Sequence, residues 1–328
     1  LCDVSRIRML FYDLYIQVRS CGPTSVINNY MRILSNNEWD PLQSIVVGSA
    51  TNANWPVNCP DFRKQEELTL WKETPVPSGP VNQQIIDEAN EDLQYLSDFL
   101  TAQGIMVYRP TDIDFQTRDG FYNYCPRDRL LVVGDTVIDT PMAQACRDME
   151  REAYDFLECN YVKGEGRWDA ANVCRLNDDL LYLISDSGDQ AGYEWLSDYF
   201  AGSKRVHALN LYAGVHIDST ISPIREGLVV LNASRVNEDN MPEPFKNWDK
   251  IWITECAHQP FVDYPYASNW IGVNFLTVSP DSIVCDPKQE WLMRELDKYK
   301  VNSQGIDLRH SRTLGGGHHC VTLDLVRQ

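Results

Sequence analysis

The stretch DAANVCRLNDDLLYLIS, residues 169–185, shows how the chain is built. Two short apolar runs, at residues 170–176 and 180–185, flank a polar turn, and this pattern is typical of two paired β-strands. The pattern returns at 217–232 and again at 271–286. Recurrence at a spacing of roughly fifty residues indicates a repeated supersecondary unit.

Each strand pair belongs to a longer unit that also contains a helix. Helical periodicity occurs at residues 84–103, 190–200 and 289–300, and a further short apolar run follows, for example at 206–211. One unit is therefore strand, strand, helix, strand. Further copies are indicated by the segments 44–50, 104–109 and 128–140. We therefore predict an α/β fold in which about five units surround one axis.

A polar or reactive residue opens each of the later units. These residues are Asp169, His216, Asn269 and Cys320. Because equivalent positions of repeated units around an axis face the same centre, we expect these side chains to converge there.

Composition excludes several classes of function. The 328 residues include 29 Lys+Arg and 47 Asp+Glu, a formal charge of −18, which argues against binding nucleic acid through a basic surface. No apolar run approaches the roughly 18 residues that a membrane helix needs, and charges interrupt residues 1–20, so neither a membrane span nor a secretion signal is predicted. The ten cysteines are scattered and none form C-x-x-C pairs. We expect free thiols, no zinc site, and a soluble cytoplasmic protein.

Cys320 is the candidate nucleophile. It follows three glycines, residues 315–317, which allow a sharp turn and close approach of a ligand, although a flexible turn before a buried cysteine has the same pattern. At an unperturbed pKa near 8.5, only about 3% of a thiol is ionised at pH 7, so a histidine should lie nearby. The pattern leaves both His216 and His318 open.

The candidate carboxylates are ambiguous when taken singly. Asp128 and Asp169 are each typical of turn or cap positions. Asp218 lies two residues after His216, where the two side chains would share a strand face, but a half-exposed strand has the same pattern.

Several motifs together resemble one known family. They are EWDPL at 38–42, PRD at 126–128, DAAN at 169–172, HIDST at 216–220, NASR at 232–235 and LGGGHHC at 314–320. Their order and spacing resemble those of the arginine amidinotransferases. LLYLISDSG at 180–188, SRVN at 234–237 and HSRTL at 310–314 resemble the branch that serves streptomycin biosynthesis, and the saxitoxin-pathway enzymes are also similar. The resemblance implies the pentein fold, a five-bladed α/β propeller with pseudo-fivefold repeats around a central active site.

The resemblance also implies a role for each candidate residue. Cys320 would be the nucleophile, His216 the general acid/base, and Asp169 the carboxylate that orients His216. Asp128 and Asp218 would bind a guanidinium group. Two further implied substrate-binding residues are Arg235, which would meet the donor's α-carboxylate, and Ser268, which would line the pocket.

The implied reaction moves the amidino group of L-arginine through an amidino-cysteine to a small amine, releasing L-ornithine. It needs no metal or organic cofactor, and it would serve biosynthesis of a guanidine-containing natural product, an aminocyclitol or a saxitoxin-like compound. A homodimer is compatible with the resemblance. We predict an N-terminal extension at residues 1–34 and a catalytic domain at 35–328.

Two other functions use the same residues. A hydrolase of this fold, similar to arginine deiminase, would admit water to the intermediate. A non-catalytic arginine-binding module is least favoured, because every expected catalytic residue type is present.

Overall fold

The helices and strands of the chain follow the predicted units closely. The computed structural model describes residues 31–68, 74–159 and 161–328. The strands are β1 Leu42–Val47, β2 Asn54–Trp55, β3 Gly79–Pro80, β4 Met106–Tyr108, β5 Leu130–Val133, β6 Thr136–Asp139, β7 Tyr161–Lys163, β8 Val173–Leu176, β9 Asp179–Leu183, β10 Arg205–Leu209, β11 Ile221–Arg225, β12 Leu228–Asn232, β13 Asp249–Ile253, β14 Leu276–Ser279, β15 Ser282–Cys285, β16 Asn302–Gly305 and β17 Thr322–Arg327. The α-helices are α1 Pro60–Leu68, α2 Gln83–Ala102, α3 Pro126–Arg129, α4 Gln190–Tyr199, α5 Glu290–Lys298 and α6 Ser311–Leu314. Short 3₁₀ helices lie at Ala145–Tyr154, Ala170–Asn172, Glu243–Phe245 and Asn269–Val273.

Five three-stranded sheets in the described part of the chain share one plan. Four consist of consecutive strands, namely β5–β7, β8–β10, β11–β13 and β14–β16. In each, the first two strands are antiparallel and the third runs parallel to the second. The prediction of an α/β fold with about five copies of one unit is confirmed.

The fifth sheet joins the two ends of the described chain. It has the order β17-β1-β4, with β1 antiparallel to β17 and parallel to β4. The last strand therefore occupies the position that the first strand of a unit has elsewhere. Cys320 therefore lies shortly before the first strand of its sheet, as Asp169, His216 and Asn269 do before the first strands of theirs.

Helix α2 shows why the helical segments form where they do. The Asn82 side chain caps its first turn by accepting the backbone N–H of Gln84 at 3.0 Å. Apolar residues at helical spacing form one buried face, which includes Ile86, Leu93 and Leu100. This face packs against β1 and β4, so α2 covers the sheet that joins the chain ends.

The predicted strand starts at residues 170, 217 and 271 are wrong by several positions. Residues 170–172 and 269–273 form 3₁₀ helices, and residues 217–220 form a turn before β11. Local backbone hydrogen bonds satisfy these turns, such as the N–H of Thr220 to the carbonyl of Ile217 at 2.9 Å. The turns are buried, and apolar content alone does not distinguish a buried turn from a strand. Cys320 likewise lies in a turn, because the final strand begins at Thr322.

A buried cluster of charged side chains ties separate parts of the fold together. Arg175 on β8 donates to both oxygens of Glu38, at 2.9 and 2.6 Å, and to Asp324 on β17 at 2.7 Å. Arg127 and Arg327 also bond Asp324. Removing one member of such a buried set costs about 3–5 kcal/mol, because it leaves an uncompensated charge. The cluster fixes the position of Glu38, which contacts the site described below.

The start of the described chain pairs with its last strand. Leu34 exchanges backbone hydrogen bonds with Leu325 and Arg327, each at 2.8 Å. Residues 1–30 lie outside the described residues, so the division into an extension at 1–34 and a catalytic domain at 35–328 stays a prediction. No helix within the described ranges is both long and apolar enough to span a membrane.

Candidate active site

At two of the three glycines before Cys320, a side chain would strain the backbone or clash with a neighbouring residue. Gly315 follows α6 with φ of +78°, in the left-handed region that favours glycine. A Cβ on Gly317 would lie 2.7 Å from the backbone oxygen of Asn274. The Asn274 side-chain oxygen accepts the N–H groups of His319 and Cys320, at 3.0 and 3.1 Å. The turn is thus held against Asn274, which fixes the position of the thiol.

The Cys320 thiol is buried against a carboxylate. Its Sγ donates to Oδ2 of Asp218 at 3.2 Å. Burial and the negative charge of Asp218 raise the pKa of Cys320 well above its ordinary value. Cys320 is therefore a neutral thiol in these surroundings.

His216 lies between two carboxylates. Its Nε2 is 3.0 Å from Oδ2 of Asp169, and its Nδ1 is 3.6 Å from Oδ1 of Asp128. Burial alone would lower the pKa of His216, but Asp128 and Asp169 overcome it and raise the pKa to about 9. His216 is therefore cationic at neutral pH.

The backbone at His216 is held in an uncommon conformation. Its φ is +47°, which is rare for a residue other than glycine and occurs often at functional sites. The Tyr212 hydroxyl donates to the His216 carbonyl, and the Ser187 hydroxyl accepts the His216 N–H at 3.3 Å. These contacts stabilise the turn that presents the imidazole.

Asp169 uses both of its oxygens. Oδ2 meets His216, and Oδ1 accepts the backbone N–H of Ala143 at 2.9 Å. Burial would raise the pKa of Asp169, but His216 outweighs burial and lowers it. Asp169 is thus an ionised, fixed partner for the imidazole.

The two oxygens of Asp128 have different contacts: Oδ1 lies 3.6 Å from Nδ1 of His216, and Oδ2 forms a hydrogen bond. Its Oδ2 accepts from Arg147 at 2.9 Å, and Arg147 also pairs with both oxygens of Glu150. The other oxygen, Oδ1, is buried and accepts no hydrogen bond from the described residues. Burial raises the pKa of Asp128, and the cations His216 and Arg147 offset part of this rise. Sequence reasoning missed Arg147, because a single arginine in a 3₁₀ helix carries no pattern that marks it.

Asp218 has a different partner from the one that the sequence indicated. The sequence placed it on one strand face with His216, but these residues lie in a turn, and Oδ2 of Asp218 instead accepts from Nδ1 of His319 at 2.9 Å. Burial opposes ionisation of Asp218, but His319 and then His216 hold its pKa well below the ordinary range. Nε2 of His319 lies 3.3 Å from Oε2 of Glu38. His319 was also missed, although it adjoins the candidate nucleophile.

The second candidate histidine, His318, points away from these groups. Its Nε2 contacts the carbonyl oxygen of Ile306 at 2.8 Å, and burial lowers its pKa to about 4. It is therefore neutral at physiological pH. This geometry favours His216 over His318.

The two remaining candidates lie in different surroundings. Nη1 of Arg235 donates to Thr220 Oγ1 at 2.7 Å, and its guanidinium carbon lies 4.4 Å from the ring centre of Tyr212. No carboxylate in the described ranges forms an ion pair with Arg235. Ser268 is half-buried at the start of the 3₁₀ helix Asn269–Val273, and its hydroxyl has no hydrogen-bond partner among the described residues.

The structure therefore gathers Cys320, His216 and three carboxylates into one buried region. The carboxylates Asp128, Asp169 and Asp218 each act on the pKa of His216, which shows that they share its surroundings. A site with this excess of carboxylates suits a cationic ligand, and guanidinium is held best by paired hydrogen bonds to carboxylates.

Comparisons with known proteins identify the family. No family model matches the chain. Inosamine-phosphate amidinotransferase 1 of Streptomyces glaucescens is 40% identical over 334 residues, which cover 89% of this chain and 96% of that protein. The structure of inosamine-phosphate amidinotransferase StrB1 from Streptomyces griseus is 38% identical with a TM-score of 0.84, and 90% of this chain covers 97% of it. SxtG, an amidinotransferase from Microseira wollei in the saxitoxin biosynthetic pathway, is 25% identical with a TM-score of 0.78 and the same coverage. The chain therefore has the pentein fold and belongs to the amidinotransferase family.

Proposed function

We propose that this amidinotransferase takes the amidino group of L-arginine, carries it on Cys320, and transfers it to an amine acceptor. The observation that carries the proposal is the 3.2 Å contact between Cys320 Sγ and Asp218 Oδ2. A carboxylate beside the sulfur would bind a guanidinium group with its central carbon within reach of that sulfur.

Both ends of arginine have complementary groups. Asp128, whose Oδ1 accepts no hydrogen bond from the described residues, and Asp218 bind the guanidinium, while Arg235 binds the α-carboxylate and Ser268 lines the pocket. The absence of an ion pair on Arg235 among the described residues supports this role. The bound cation also offsets the charge of Asp218, which otherwise keeps Cys320 protonated. Donor binding would thus help ionise the nucleophile, whose proton passes to solvent.

In the first half-reaction, the Cys320 thiolate attacks the guanidinium carbon and forms a C–S bond. The resulting tetrahedral adduct is neutral, because the thiolate charge cancels the guanidinium charge. His216, cationic at neutral pH, then protonates the departing nitrogen. The C–N bond breaks, releasing L-ornithine and leaving a cationic amidino-cysteine and a neutral His216.

In the second half-reaction, neutral His216 removes a proton from the acceptor amine as its nitrogen attacks the amidino carbon. The C–S bond breaks, and the thiolate and cationic His216 are restored. Asp169 stabilises the cationic ring in both halves. No step requires a metal or organic cofactor.

The acceptor that we propose is a small amine in the biosynthesis of a guanidine-containing natural product, aminocyclitol or saxitoxin-like. The similar proteins support this class, since they include an inosamine-phosphate amidinotransferase and an amidinotransferase of the saxitoxin biosynthetic pathway. A cytoplasmic location and a homodimer stay predictions.

The proposal is tested by separating the two half-reactions. Arginine alone should give a stoichiometric burst of ornithine and an amidino adduct on Cys320, detected by intact mass and peptide mapping. A panel of amines, including aminocyclitol phosphates, lysine and glycine, should then restore turnover for the true acceptor, with a guanidino product identified by mass spectrometry. Sustained formation of citrulline and ammonia, unaffected by any amine, would instead make the protein an arginine deiminase-like hydrolase.

A further inference from the structure

The imidazole of His319 is fixed between two carboxylates. Nδ1 lies 2.9 Å from Asp218 Oδ2, and Nε2 lies 3.3 Å from Glu38 Oε2. When each ring nitrogen carries a proton, an imidazole can donate one hydrogen bond to each of two oxygen acceptors. The ring therefore connects the active-site carboxylate to the buried charged cluster.

The two carboxylates depend on His319 to different degrees. Glu38 already accepts two hydrogen bonds from the Arg175 side chain, at 2.9 and 2.6 Å. Oδ2 of Asp218 has only two donors among the described residues, namely His319 and the Cys320 thiol. When Cys320 ionises, the thiol no longer donates. His319 is then the protein donor that remains on this oxygen.

The position of the His319 backbone does not depend on its side chain. Its N–H bonds the Asn274 side chain at 3.0 Å, and its carbonyl accepts from Arg127 Nε at 3.0 Å. A substitution at this position therefore changes the ring contacts while the turn that carries Cys320 stays anchored.

We propose that His319 is a positioning residue that holds Asp218 ionised and oriented toward both the sulfur of Cys320 and the guanidinium of the donor. A buried carboxylic acid without this partner would favour its neutral form, which cannot form a charge-assisted pair with guanidinium. This inference rests on the proposed function, because it assumes that Asp218 binds the donor.

Two substitutions separate the ring's two contacts. In His319→Asn the amide nitrogen occupies nearly the place of Nδ1, and so keeps a donor for Asp218. In His319→Gln the amide nitrogen lies nearer the place of Nε2, and so keeps a donor for Glu38. His207→Asn is a matched control, because His207 pairs with Asp179 on β9 outside the site.

The measurement is single-turnover formation of the Cys320 adduct as a function of arginine concentration. His319→Gln should raise the half-saturating concentration by about 10- to 100-fold, the range expected for loss of a hydrogen bond to a charged group. His319→Asn should stay within about threefold of wild type, and His207→Asn should be unchanged. The maximal rate should change less than the half-saturating concentration in each variant.

Each other result has a definite meaning. If His319→Gln binds arginine as well as His319→Asn or better, the contact with Glu38 is the important one and the proposal is wrong. Failure of both variants to fold, seen by circular dichroism, would also overturn it, since the ring would then serve the charged cluster. If wild-type protein forms no adduct at all, the proposed function fails before any variant is compared.

Discussion

Asp169→Asn tests the electrostatic basis of the mechanism most directly. In the wild type, Oδ2 of Asp169 accepts from Nε2 of His216 at 3.0 Å while Oδ1 accepts the N–H of Ala143. An asparagine can keep the bond to Ala143 with its oxygen, but it then presents an NH₂ group to His216. Two donors would face each other whenever His216 is cationic, so the variant should favour the neutral ring.

The structure gives the scale of the effect. The pKa of His216 is raised from 6.5 to about 9, and at 1.36 kcal/mol per unit this is a stabilisation of the cation by about 3 kcal/mol. The negative charges of Asp128 and Asp218 also contribute to that rise, so part of it should remain in the variant. We expect the variant to lower the pKa by at least about one unit, and to lower kcat by about 10²- to 10⁴-fold.

The assay is the pH dependence of ornithine formation at low arginine concentration, where kcat/KM reports the free enzyme. In the wild type, activity should fall as pH rises through about 9, because the first half-reaction needs cationic His216. In Asp169→Asn this decline should begin at least about one unit lower. A decline that stays near pH 9 in the variant would refute the role of Asp169.

The pH dependence of thermal unfolding tests the charge on His216 without measuring activity. Because the folded pKa of His216 is raised, its contribution to stability is fully present below about pH 6.5 and is lost as pH rises through about 9. The gap in Tm between wild type and Asp169→Asn should therefore be largest near about pH 5–6.5, where Asp169 is ionised and His216 is cationic. It should shrink as pH falls and protonates Asp169, and it should narrow as pH rises from about 6.5 through 9. A gap that widens in this range would contradict the assignment of a cationic His216.

Substitutions at two further positions test the nucleophile and the arginine proposed to bind the donor's α-carboxylate. Cys320→Ala and Cys320→Ser should form neither ornithine nor an adduct, because neither side chain is an adequate nucleophile at neutral pH; an adduct on another cysteine, found by peptide mapping, would relocate the nucleophile. Arg235→Ala should mainly raise the KM for arginine, by about 10- to 100-fold, while agmatine, which lacks the α-carboxylate, should be equally poor with both proteins; wild-type protein that used agmatine as well as arginine would exclude this role for Arg235.

Local sequence patterns were sufficient to predict the repeated unit and hence the α/β architecture. Strand pairs, helices and their spacing are local properties, because side-chain periodicity and turn residues depend on neighbours within a few positions. The predicted strand starts at residues 170, 217 and 271 were wrong for the same reason: a local pattern shows apolar content, and the buried turns at these positions are as apolar as strands. The motifs around Asp128, Asp169, His216 and Cys320 also indicated the family, through resemblance and not through periodicity.

Which side chains of the site contact each other became clear only from the folded chain. The pattern allowed both His216 and His318 as the partner of the thiol. The fold turns His318 toward the carbonyl of Ile306, and it places His216 between two carboxylates. Asp218 and His319 are 101 residues apart, yet they form a hydrogen bond at the carboxylate beside the sulfur. Such contacts arise because equivalent turns of separate units meet at one centre. A local sequence pattern cannot predict which side chains then form a hydrogen bond, or how burial shifts the pKa of each group.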